Sequence, residues 1–182
     1  MKKIVSTLLI VLLILAIFTS ILFAEEIKST FQNEPDGFRG LKWGDALAED
    51  MVFVGTISCE GSSYYRKDDK LNIGSADLDY IFYIFNLYSN QFYKVRLIFT
   101  GKYNYDILKI IFEGRFGEPI WKAEDGYSLQ WMGEIEPHKA RIYLHFYPEK
   151  QRGSLQIVSE EIHRETPEYD KQKEVEKAKE DF

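Results

Sequence analysis

The chain has 182 residues, 45% of them hydrophobic and 15% aromatic, with one cysteine and a formal net charge of −6. That apolar content excludes a disordered chain and leaves room for one domain, or two small similar units, with a core of its own. The acidic balance makes nucleic acid and anionic lipid surfaces poor partners, and a lone Cys59 excludes an intramolecular disulfide.

Met1-Lys2-Lys3 is followed by an uncharged run from Ile4 to Ala24 and then by Glu25-Glu26. A basic start, an apolar core and a small residue before the acidic pair form a secretory signal cleaved after Ala24. The alternative is an uncleaved anchor, because residues 4–24 are just long enough to span a bilayer. The chain is accordingly expected to be exported to the periplasm or beyond, or held at the inner membrane by residues 4–24. No cysteine lies near residues 16–26 to carry a lipid. Without Met1–Ala24, 21 basic residues face 29 acidic ones, a net of −8.

Residues 25–37 are polar and contain the turn Pro35-Asp36-Gly37, a linker into the domain at 38–164. Phe38 to Trp43 reads as a short strand, with Phe38, Gly40 and Lys42 on one side and Arg39, Leu41 and Trp43 on the other. Gly44 breaks it, and Asp45 caps a short helix over Ala46–Asp50. Met51–Ser58 is a strand ending near Cys59, which reads as a small buried hydrophobe, with a reactive thiol as the alternative. Glu60–Ser63 is a turn and Tyr64–Arg66 a further short strand. Lys67-Asp68-Asp69-Lys70 is a solvated turn, since it lacks the alternating oxygen ligands of a calcium loop.

The centre of the chain is a hairpin, Asp79–Leu87 and Phe92–Thr100, running into a helix over Asn104–Phe116. Aromatic and β-branched residues fill the first strand, and Tyr93, Val95, Leu97 and Phe99 alternate with Lys94, Arg96 and Ile98 in the second. After Gly101 the period becomes helical. Ile107, Leu108, Ile111 and Phe112 form one stripe, Asn104 is the N-cap, and Gly117 with Pro119 stops the helix. Ile120–Ala123 begins a new run, Tyr127, Leu129 and Trp131 share a strand face, and Ala140–Tyr147 alternates cleanly. Ser154–Ser159 returns with Leu155 and Ile157 inward. The fold expected is α+β, an antiparallel β-meander with one main amphipathic helix, either as a single sheet or as two related helix-plus-meander units.

Several of these segments together resemble a group of uncharacterised exported bacterial proteins. The resemblance rests on Phe38-Arg39-Gly40-x-x-Trp43-Gly44, Met51–Gly55, Tyr64–Arg66 and Leu71–Gly74. It extends through Phe92–Val95 and Phe116–Pro119 to Gly153-x-Leu155-x-Ile157. It implies export and brings no activity or site residues with it.

Residues 165–182 form a charged tail or terminal helix. Glu168/Lys171, Asp170/Lys173, Glu174/Lys177 and Glu176/Lys179 set acid three residues before base, while Val175, Ala178 and Phe182 make too thin a stripe to bury much area.

Chemistry is sparse. His138, His145 and His163 lie apart, with no His-x-His or Cys-x-x-Cys spacing, so neither metal nor other cofactor is expected. No nucleophile elbow or phosphate loop occurs, and the adjacent Glu160 and Glu161 sit where neither is desolvated. What remains is surface: Arg141, Tyr143, His145 and Tyr147 lie on the polar side of one strand, with Tyr64 and Arg66 a second such place. Aromatics beside arginine suit contact with an envelope protein or a glycan. The expected function is a non-catalytic, exported binding module. The alternatives are a hydrolase-like enzyme assembled from scattered residues, or a membrane-tethered structural protein.

Overall fold

The computed structural model describes residues 31, 33–57, 61–133 and 140–163. Two short strands, β1 (Gly37–Phe38) and β2 (Leu41–Lys42), precede β3 (Met51–Ile57) and β4 (Gly61–Arg66). Then come the short β5 (Asn72–Ile73) and β6 (Ala76–Asp77), followed by β7 (Tyr80–Phe85) and β8 (Phe92–Thr100). Helix α1 (Lys102–Phe116) leads to β9 (Trp121–Lys122), β10 (Ser128–Met132), β11 (Ala140–Tyr147), a 3-10 turn at Pro148–Lys150 and β12 (Arg152–Ser159).

Eight of these strands make one antiparallel sheet in the order β3-β4-β7-β8-β12-β11-β10-β9, and β1–β2 and β5–β6 are separate hairpins. The fold is therefore α+β and antiparallel, with α1 as its main helix. The order has a simple logic. β3-β4-β7-β8 and β9-β10-β11-β12 are each a meander, and their last strands pair at the middle, Leu155 opposite Leu97 and Ile157 opposite Val95. The short helix expected at the head of the first meander is not there. Instead the backbone of Gly44 donates to the Phe92 carbonyl, and Phe92 donates to the Asp45 carbonyl. Those two bonds tie Gly44 and Asp45 to the start of β8, and the Asp45 carboxylate turns back to accept from the Lys42 backbone at 2.7 Å instead of capping a helix.

Side-chain alternation sets what the sheet buries. Tyr93, Val95, Leu97 and Phe99 from β8, and Ile142, Leu144 and Phe146 from β11, are all essentially inaccessible. The β11 residues lie under α1, which buries Tyr105, Leu108, Phe112 and Phe116, while Tyr93 at the start of β8 stacks on His163. Tyr105 reaches past Phe146 to donate its hydroxyl to the Gly126 carbonyl at 2.8 Å, and Phe112 lies 6.3 Å from the Trp131 ring. Over the other meander the cover is made by the hairpins, with Phe38 against Tyr83 and Trp43 stacked on Phe92 at 5.0 Å.

Four further local readings need correction. Phe38–Trp43 is a tight hairpin and not a continuous strand, because Arg39 and Gly40 both take positive φ, 50° and 80°, and reverse the chain. β4 begins at Gly61, so Gly61, Ser62 and Ser63, read as turn, belong to a strand. α1 begins after Gly101, two residues before Asn104. Asn104 lies inside the first turn, where its side chain accepts from the Asp77 backbone and donates to the Thr100 carbonyl, tying β6 and β8 to the helix. The first strand of the central hairpin stops at Phe85, since the Asn86 backbone and side chain organise the loop that follows. The leader at 1–24, Cys59, His138 and the tail at 165–182 lie outside the described residues.

Candidate functional site

Arg141, Tyr143, His145 and Tyr147 all project from β11 on the face opposite α1, as alternation requires. They are occupied with one another and with their neighbours. Arg141 donates to the Tyr143 hydroxyl at 2.7 Å and sits 3.2 Å from the Glu160 carboxylate. His145 Nδ1 meets the Ser128 hydroxyl, and its ring lies 4.0 Å from that of Tyr147. Of the four, Tyr147 alone is strongly exposed, at 51%. The Ser128–His145 contact does not make a nucleophile and base: Nε2 is buried without a hydrogen-bond partner among the described residues, so no carboxylate orients the imidazole.

The other half of the sheet is different. β4 and β7 pair only from Ser62↔Phe85 to Tyr64↔Tyr83. Beyond that point they part, and a hollow of about 490 Å3 opens between them, with apolar lining from Val54, Tyr65, Leu71, Tyr80 and Phe82. Val54, Tyr65, Leu71 and Tyr80 are between 40% and 53% exposed, an unusual concentration for a chain whose other large side chains are mostly buried. Tyr80 and Phe82, two apart on one face of β7, stack at 5.7 Å and 12°. Next to the hollow runs β3, the end strand of the sheet, with a register shift between Phe53 and Gly55 that leaves Val54 unpaired; both Phe53 and Val54 are exposed, Phe53 with its ring against Tyr64. Its outer backbone groups have no strand beside them among the described residues, which leaves them available to another chain.

A polar network forms the floor at the Arg66 end. Asp69 pairs with Arg39 through one oxygen and accepts the Tyr83 hydroxyl on the other at 2.6 Å. Arg39 also donates to the carbonyls of Lys70 and Asn72, while Arg66 lies over the Tyr83 ring at 5.3 Å and near Asp50. The turn read as solvated is thus pinned: Asp69 closes the loop between β4 and β5 onto the core. Tyr64 and Arg66 accordingly look toward Tyr83 and Phe85, on the covered side, and Tyr65 between them faces the hollow. A second hollow of about 420 Å3 at this loop is lined by Arg39, Asp50, Arg66 and Asp69, which pair with one another, together with Asp68, Lys70 and Asn72.

No family model, curated protein or solved structure matches this chain. Among the described residues no cluster of three or more His, Cys, Asp or Glu could hold a metal, and no helix is long and apolar enough to cross a membrane. The β4–β7 hollow could not be found from local pattern, because it comes from two strands separating and not from any run of residues. The one available signal was the pair Tyr80 and Phe82, aromatic side chains on the side of β7 that faces away from the core.

The network also predicts alkaline behaviour. Burial, then the hydrogen bond to Asp69, pushes the Tyr83 phenol far above its ordinary range, and burial pushes Tyr105 up to about 12. Above about pH 10 the unfolded chain ionises both phenols while the folded chain keeps them protonated, so the unfolded state binds fewer protons. Their contribution is fully present below about pH 10 and is lost as pH rises toward the folded values, at about 1.4 kcal/mol per pH unit for each phenol. Urea midpoints measured through this range are expected to fall, and Tyr105→Phe to make the fall shallower. A slope that Tyr105→Phe does not change would contradict the assignment.

Proposed function

We propose that the protein is an exported, non-catalytic binding module of the bacterial envelope, and that it grips another envelope protein through the β4–β7 hollow and the adjoining edge of β3. The observation that carries this reading is the exposed apolar group Val54, Tyr65, Leu71 and Tyr80 around a hollow of about 490 Å3. Exposed aromatic side chains rimmed by charge are the usual anchors of protein interfaces. Here Arg66, Lys67 and Asp79 supply the rim. Export is supported by the Met1–Ala24 pattern, a basic start and an uncharged apolar run ended by Ala24.

A protein is favoured over a glycan because of where the polar groups are committed. A sugar chain needs free hydrogen-bonding groups beside an aromatic ring. On β11 those groups are already used, Arg141 by Glu160 and Tyr143, and His145 by Ser128. At the β4–β7 hollow the exposed surface is mainly apolar, which suits a large side chain presented by a partner.

The test is co-purification from the native cell, comparing the wild type with Leu71→Ser/Tyr80→Ser and with Tyr143→Ser/Tyr147→Ser. Removing anchors of this kind costs about 2 kcal/mol or more, about thirtyfold in affinity. The first double variant is expected to lose a partner that the wild type retains while keeping its thermal midpoint, and the second to keep it. Equal recovery with Leu71→Ser/Tyr80→Ser, or loss only with the β11 variant, would contradict the proposal.

A further inference from the structure

The inner face of the sheet has two covers, α1 over the second meander and the β1–β2 and β5–β6 hairpins over the first. They do not close completely. At their seam lies a hollow of about 430 Å3, with Ile157 of β12 at its base, Ile111, Phe112 and Phe116 of α1 on one wall, and Phe38 and Ile73 of the hairpins on the other. This groove, open to solvent on one side, falls in the size range of small-ligand sites, about 300–1,000 Å3. It lies on the covered side of the sheet and is separate from the β4–β7 hollow.

Its charge runs against that of the whole molecule. The chain carries 29 acidic residues to 23 basic, yet the lining of this hollow contains two arginines, Arg39 and Arg115, and no carboxylate. Arg39 is committed to Asp69 and to the carbonyls of Lys70 and Asn72. Arg115 is exposed on the last turn of α1. Its guanidinium lies 5.5 Å above the Phe116 ring, directly beside the apolar wall, and makes no ion pair with a described residue. A cation at the rim of an apolar slot complements a molecule with an apolar tail and an anionic head.

The wall opposite α1 is held in place independently of any ligand. The β5–β6 turn approaches the helix so closely that a β-carbon on Gly74, at φ 58°, would come within 2.9 Å of Ile111 Cδ1. The Asp77 backbone then bonds the Asn104 side chain on the same helix. The slot therefore has fixed sides, which lowers the ordering cost of filling it.

We propose that this seam is a binding site for a single-chain amphiphile with an anionic head, such as a fatty acid, its tail against Phe38, Ile73, Ile111 and Phe112 and its carboxylate on Arg115. The probes are decanoate and decyltrimethylammonium, each below its micelle concentration, and decanol below its solubility limit, titrated into the full chain by calorimetry. Decanoate is expected to bind one to one, and decyltrimethylammonium at least about tenfold more weakly, the scale of one charge-assisted hydrogen bond. Arg115→Ala, at an exposed position, is expected to weaken decanoate about tenfold and leave decanol unchanged. Ile73→Trp, which fills the slot, is expected to abolish binding of both. A readout that needs no variant is the methyl spectrum of the unaltered protein, in which decanoate should shift Ile73, Ile111 and Ile157. Absence of one-to-one decanoate binding, equal affinity for the two charged head groups, or shifts confined to methyls elsewhere would overturn the proposal.

Discussion

Trp131→Ala is expected to lower the free energy of unfolding by about 4 kcal/mol, the usual cost of removing a buried large aromatic. Trp131 is fully buried on β10, its ring lies 6.3 Å from Phe112, and its indole N–H donates to the Gly117 carbonyl at 2.8 Å. The alanine therefore leaves a cavity under α1 and also strips the carbonyl at the C-terminal end of the helix of its partner. A small domain has only about 5–15 kcal/mol in all, so the urea midpoint should move a long way. Trp131→Phe, which keeps most of the volume and loses only the hydrogen bond, is expected to cost about 1.5 kcal/mol. Equal effects from the two substitutions would mean that the hydrogen bond, and not packing, anchors the helix to the second meander.

Gly153→Ala is expected to cost about 3 kcal/mol through overpacking. Gly153 is in β12, opposite Phe99 of β8 and Phe146 of β11. Those two rings lie parallel, 6.4 Å between centroids and 5° between planes. A β-carbon on Gly153 would overlap the Phe99 ring and come within 2.6 Å of the His145 carbonyl. Relief requires Phe99 to leave its place, and the strand in question joins the two meanders. Gly153→Ala combined with Phe99→Leu should recover part of the loss, since the shorter side chain makes room. Failure of Phe99→Leu to recover any stability would place the strain elsewhere in β12.

The contrast between these central strands and the rest of the chain explains what could be read from the amino acids. β8, β11 and α1 were legible because each has a long period that burial enforces. Phe92–Thr100 and Ala140–Tyr147 alternate, and Ile107, Leu108, Ile111 and Phe112 make one helical stripe, of which Leu108 and Phe112 are buried. The segment after Gly44 was illegible for the opposite reason. Its local chemistry favours a capped helix, but the Phe92 backbone takes the Asp45 carbonyl that would accept the first bond of such a helix. Arg39 adopts left-handed backbone without being glycine, so the β1–β2 hairpin carried only half of its usual mark.

Function followed the same division. The alternation of β11 placed Arg141, Tyr143, His145 and Tyr147 on one face correctly. It did not reveal that Ser128 and Glu160 arrive from elsewhere in the chain to occupy two of them. Asp69 read as an ordinary charged turn, yet it joins Arg39 and Tyr83, which lie 30 and 14 residues away. The hollow beside it exists because β4 and β7 part after Tyr64, and strand separation is a property of two segments together.

Site-specific photocrosslinking in the native cell would show whether the β4–β7 hollow grips a partner. A photoreactive phenylalanine analogue would be placed at Tyr80, on the rim of the β4–β7 hollow, and in a parallel strain at Ile110, an exposed apolar position on α1 that is 64% accessible. A discrete adduct with one envelope protein is expected from Tyr80, abolished by Leu71→Ser in the same chain, and none from Ile110. Adducts of equal yield from both positions, or from Ile110 alone, would contradict the proposal.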